Sequence, residues 1–109
     1  MEAEFFGALV ARLSQLLEPK GFRLTRQVHL PKSFGHRMAT FEGSAFVIDL
    51  DLDGKEHDVR LIRRGREESS GLVGEVLAEG NLGVAATPAD HARATAAILD
   101  AAASIDGAA

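Results

Sequence analysis

The chain contains no cysteine, no tryptophan and no tyrosine, and only three prolines among 109 residues. Without cysteine it can form no disulfide, no thiolate nucleophile and no cysteine-ligated zinc or iron–sulfur centre. A domain held by packing alone suits a reducing compartment, so a cytoplasmic location is expected. Six phenylalanines are the whole aromatic inventory, which leaves few large amphipathic rings for a sticky surface or for stacking on bases. Long apolar runs are missing too: none approaches the ~20 residues needed to span a bilayer. The opening MEAEFFGALVARL carries acids where a signal peptide carries basic residues. Net positive charge is also lacking. Twelve Lys and Arg face sixteen Asp and Glu, for a net charge of −4, a poor basis for general nucleic-acid or anionic-membrane binding.

What remains is a chain that is 46% hydrophobic, enough for an aliphatic core. Its length fits one domain, expected over residues 1–105 with a frayed tail at 106–109. Residues 3–18 read as a helix, because Phe6, Leu9, Val10, Leu13, Leu16 and Leu17 recur at three- and four-residue steps. Pro19 and Gly21 end it. Phe22, Leu24, Val28 and Leu30 then alternate with polar residues as a strand, and Arg26 on the apolar side marks a bend or an edge. Further strands are expected at 36–42, 45–53 and 56–64. GLVGEVLAEG, residues 71–80, reads as a short helix capped by Ser70, with a strand as the alternative. TPADHARATAAILDAAA starts a final helix with Thr87 as N-cap and Pro88 in the first turn. Its inner face is expected to be Ala92, Ala96, Leu99 and Ala103, with Ile98 beside them. The expected class is therefore α+β: a four-stranded antiparallel meander with the helices packed on one sheet face.

Asp49, Asp51, Asp53 and Gly54 fall at the first, third, fifth and sixth positions of a calcium-loop pattern. The twelfth position, which needs a bidentate acid, is Arg60, and the eighth is Glu56. AFVIDLDL alternates with period two, so the aspartates lie about 6–7 Å apart along one face of a strand and cannot wrap one ion. The segment is a hairpin. A two-residue Asp53–Gly54 loop would set Asp49 opposite Asp58 and Asp51 opposite Glu56. A four-residue loop, Asp53 to Glu56, would set Asp49 opposite Arg60 and Val47 opposite Ile62. Opposite charges across strands are worth a few tenths of a kcal/mol and like charges cost as much, so the longer loop is favoured. A turn at Gly43–Ser44 would set Phe41 opposite Phe46 and Ala39 opposite Ile48.

These registers place His36, Met38, Val47, Asp49, Asp51, Asp58, Arg60 and Ile62 on the outer sheet face. Apolar residues ringed by charge are a protein-contact composition, and the same face could form a homodimer. His36 could approach Asp49 or Asp51 as a His–carboxylate couple able to act as a base or ligand. The four histidines show no metal-ligand spacing. No serine sits in a nucleophile elbow and no glycine loop cradles phosphate. No catalytic residue, metal or cofactor is assigned. Arg60, Arg63, Arg64 and Arg66 could bind nucleic acid, but they follow an acidic segment that a meander would set beside them.

In order along the chain, LLEPKGF, PKSFGHRMATFEGSAFVIDLDLDG and GLVGEVLAEG resemble a diffuse group of small uncharacterised bacterial α+β proteins, some of them immunity-type proteins encoded beside toxins. The resemblance spans about residues 10–80 and implies the element order and a binding role, with no catalytic residue carried over. A non-enzymatic protein-binding domain is thus the leading expectation, immunity-type or chaperone-like. The alternatives are a small enzyme or ligand binder using His36, and a nucleic-acid binder using Arg60–Arg66. Membrane association is not expected.

Overall fold

The computed structural model describes residues 2–32, 35–66, 74–83 and 86–106. The element order is α1 (Glu2–Leu17), a 3-10 turn (Glu18–Lys20), β1 (Arg23–Leu30), β2 (His36–Glu42), β3 (Phe46–Leu52), β4 (Asp58–Gly65), β5 (Glu75–Asn81) and α2 (Pro88–Ala103). The expected cap at Ser70, most of the GREESSG break, part of the NLGVAA connector and the end of the tail lie outside the described residues.

The sheet is an antiparallel meander of five strands in the order β1-β2-β3-β4-β5, not four. The difference lies at residues 75–81, which form a strand rather than a helix. The apolar spacing of Val76 and Leu77 suits a helical face, but β4 has a second edge to satisfy, and β5 pairs along it. Tertiary pairing overrides local preference here. Gly80, a poor helix former, supplies a further reason. A Cβ on it would lie 2.6 Å from the Cβ of Ala94, so its bare backbone lets α2 approach the sheet closely.

Both helices lie on one face. α2 covers β4 and β5, while α1 sits beside α2 and reaches β1 and β2. The core is one cluster joining Phe6, Leu9, Val10, Leu13 and Leu17 of α1 to Phe41, Ile48, Leu50, Leu52, Val59 and Leu61 of the sheet. α2 adds Ala94, Ile98 and Ala102. That is not the expected inner face of Ala92, Ala96, Leu99 and Ala103: Ala92, Ala96 and Ala103 are exposed and Leu99 is half-buried. Alanines occupy every side of this helix, so its sequence defines no sharp stripe. Ile98, together with the close Ala94–Gly80 approach, sets the rotation. Lys20 ties the two helices together by donating from Nζ to the carbonyls of Ala102, Ala103 and Ile105 at the end of α2, where a cation also complements the helix dipole.

A bulge interrupts the β1–β2 ladder between Leu24 and Arg26. Leu24 faces the core opposite Phe41, and beyond the bulge Arg26 pairs with Thr40 on the outer face. The irregularity keeps Arg26 off the apolar side. It also reverses the expected sides of the rest of the strand. Val28 and Leu30 go outward, opposite Met38 and His36, while Gln27 and His29 turn to the helix side.

Candidate functional site on the outer sheet face

Both hairpins keep the expected parity of faces, and both are shifted by two residues from the expected register. Phe41 pairs with Ile48, Thr40 with Asp49 and Met38 with Asp51. Gly43 N–H donates to the Phe46 carbonyl at 3.0 Å, so the turn is Ser44–Ala45 rather than Gly43–Ser44. In the next hairpin Asp51 pairs with Arg60, Asp49 with Ile62 and Val47 with Arg64. The loop is four residues long, as favoured, but runs from Gly54 to His57.

Asp53 makes this loop. Its Oδ1 accepts the N–H groups of Lys55 at 2.8 Å and Glu56 at 3.1 Å, and its carbonyl accepts His57 N–H at 2.7 Å. The backbone bond from Glu56, then that from Lys55, holds the Asp53 carboxyl below its ordinary range. His57 closes the loop with φ 59°, the left-handed region in which His is over-represented. Asp53 and Gly54 therefore do not form a two-residue hairpin turn: the aspartate caps a helical turn with its side chain. Asn81 fastens the loop to β5, its Nδ2 donating to the Glu56 carbonyl at 3.0 Å and to Asp58 Oδ1 at 2.8 Å.

β3 and the residue that follows it thus carry three aspartates with three separate sets of partners. Asp49 is 1% exposed, accepts Thr40 Oγ1 at 2.8 Å and meets Arg64 Nε at 2.6 Å. Asp51 Oδ1 accepts from His36 Nε2 at 2.7 Å, with both side chains partly open to solvent. Burial raises the Asp51 carboxyl above its ordinary range, against the opposing charge and hydrogen bond of His36. Asp53 is spent on the loop backbone. Beyond them Arg60 spans Asp58 at 3.3 Å and Glu79 at 3.2 Å.

Of the sequence-derived surface residues, His36, Asp51, Asp58 and Arg60 form a connected, partly exposed polar row, and Met38 lies half-buried among them. Val47 and Ile62 are 2% and 6% exposed, so they offer a partner almost nothing. They lie on the outer face but fill space beside Asp49 and Arg64. The apolar exposure sits instead at the margins, on Leu30 (45%) and Val76 (50%). Sequence reasoning did not select Glu79 or Asn81, and it did not join Thr40 and Arg64 to Asp49. Arg64 was hidden by the register shift, which alone brings it within reach of Asp49.

The arginines after Asp58 are committed to carboxylates: Arg63 to Glu75 at 2.7 Å, Arg64 to Asp49, and Arg66 to Glu42 at 3.8 Å. Arg63 also lies over the Phe46 ring. Among the described residues no three His, Asp or Glu side chains form a group able to hold a metal ion, and no helix is long and apolar enough to cross a membrane. No protein-family model, curated protein or solved structure matches the chain.

Proposed function

We propose that the chain is a protein-binding domain that engages its partner, or a second copy of itself, through the outer sheet face, in an immunity-type or chaperone-like role. The carrying observation is that neither helix covers this face while the charged groups at its centre, on β3 and β4, are already tied into place. Asp49 is held by Thr40 and Arg64, Asp51 by His36, and Arg60 by Asp58 and Glu79. A surface ordered before contact loses little side-chain entropy on binding. Half-buried Met38 and exposed Val76 supply apolar area around the charges. The test is partner capture and light scattering with wild type, Arg60→Glu and Asp51→Lys. A stoichiometric complex or dimer lost in both variants is expected. A strict monomer with no captured partner, or capture indifferent to both changes, would overturn the proposal.

A second reading follows from the short His36–Asp51 contact, since a carboxylate that orients an imidazole can prepare it as a base or ligand. His36→Ala should then abolish any ligand-induced thermal shift. An unchanged shift removes this reading. The paired state of Arg60, Arg63, Arg64 and Arg66 lends no support to nucleic-acid binding through that segment.

A further inference from the structure

β1 is an edge strand, so its outward row of N–H and C=O groups has no strand partner among the described residues. Arg23, Thr25, Arg26, Gln27, His29 and Leu30 are all exposed along it. Gln27 and His29 stay exposed although they turn to the helix side. Side chains on both faces of β1 are thus open to solvent toward its C-terminal end.

The charge of this edge is one-sided. From Arg23 to Phe41 the sequence has no Asp or Glu, while it holds Arg23, Arg26, Lys32 and Arg37. Among the described residues none of these four reaches a carboxylate at ion-pair distance. The acid opposite Arg23 in the ladder is Glu42, whose carboxylate turns to Arg66. A chain of net charge −4 therefore keeps one unneutralised cationic edge, with Leu30 exposed on its outer side and Val28 half-buried beside it.

We infer that β1 accepts an acidic, extended polypeptide segment as an added strand. The inference rests on the protein-binding reading but uses the sheet edge rather than the outer face. Main-chain hydrogen bonds along the edge supply affinity, and alternate side chains of the incoming strand supply selectivity. Its carboxylates meet Arg26 and Lys32, for which charge-assisted bonds are available, and its apolar residues meet Val28 and Leu30. A second copy fits less well. Two β1 edges would face each other with like charges, and the acids on the opposite edge strand, Glu75 and Glu79, are already bound to Arg63 and Arg60. β1 carries no Phe, Tyr or Trp on which a base could stack, which favours a peptide over a nucleic acid.

The probe is a fluorescein-labelled peptide, Glu-Thr-Val-Thr-Val-Thr-Glu, whose acid and apolar side chains share one strand face as Arg26, Val28 and Leu30 do, titrated by anisotropy at low salt, with amide hydrogen exchange on the complex. Saturable binding is expected, weakened at least ~10-fold in Arg26→Glu/Lys32→Glu, about 1.4 kcal/mol or more. Exchange should slow in residues 23–30 and not in β5. A proline-interrupted peptide should bind no better than background. Circular dichroism checks that the variant, altered only at exposed positions, stays folded. Absence of saturable binding, indifference to the charge reversal, or protection outside β1 would overturn the inference. So would a single-stranded oligonucleotide that binds more tightly without protecting β1, or a dimer that uses this edge and excludes the peptide. Arg60→Glu should leave peptide binding intact, so failure of the edge and failure of the outer face are separately visible.

Discussion

Asp49 is a carboxylate on the sheet face away from the helices, yet it is as buried as the core leucines. Such a charge is tolerable only with its hydrogen bonds and counter-charge in place; Thr40 and Arg64 provide them. Removing one partner leaves a charge stranded, whereas replacing both with apolar groups does not. Arg64→Met should therefore cost about 3 kcal/mol in urea denaturation, and Asp49→Leu/Arg64→Met should recover most of that loss. An additive double variant would show that the two side chains do not act as a pair. Asp51 behaves differently. Burial holds its carboxyl above the ordinary 3.8 in the folded state, so the folded chain keeps this proton more tightly than the unfolded chain does. Its contribution to stability is largest below 3.8, declines as pH rises through the raised value, and stays low above it. Comparing wild type with Asp51→Asn across this window should show the stability difference moving against wild type as pH rises. A flat difference would mean that His36 and Arg60 fully offset the burial. The sequence placed both aspartates outward. It did not show that one is sealed and the other reachable, because that depends on which arginine lies within reach.

At the scale of elements, contact geometry decides what local pattern leaves open. Gly80 lets α2 lie close on β5. Gly80→Ala would press a methyl group against Ala94, where both the Cβ at 2.6 Å and the backbone Cα at 3.1 Å are in the way. Overpacking of this kind costs roughly 1–3 kcal/mol, read as a lower urea midpoint with unchanged slope. No loss of stability would mean that α2 does not sit on this strand as described. The same approach explains why residues 75–81 are a strand: pairing with β4 and a smooth seat for α2 outweigh a weak helical spacing. The α1 stripe was legible because its large aliphatic residues recur cleanly. The α2 face was not, since alanine is equally at home on every side. The bulge in β1 was foreshadowed by Arg26, an arginine where an apolar residue was due. Its effect on Val28 and Leu30 follows only from counting onward from the inserted residue.

At the scale of the whole molecule, one core holds two helices against five strands, and α2 depends on Ile98 for its only large, fully buried side chain. Ile98→Ala should cost about 2–5 kcal/mol. Because α2 and the sheet share that core, helix and sheet signals should still lose structure in one transition. Early loss of α2 alone would show that it is an independent unit. Charge is distributed on the same scale. Acids of β3 and β5 neutralise the arginines of β4 across the ladder, while the cations around β1 are left unmatched. A mildly acidic total conceals a basic edge.

The sequence by itself determined the class, the order of helices and strands up to β4, the parity of the faces of β2, β3 and β4 and the outward placement of the aspartates. These depend on periods of two and of about 3.6 residues, which are local. Only the tertiary structure decided the fifth strand, the two-residue shift of both hairpins, the rotation of α2 and the pairing of Asp49 with Arg64. A shift of two residues keeps every side chain on its own face, so the hydrophobic pattern cannot detect it. The choice falls to turn chemistry and distant contacts: the Asp53 cap, the His57 backbone, the Asn81 tether and the cover that Arg64 gives to Asp49.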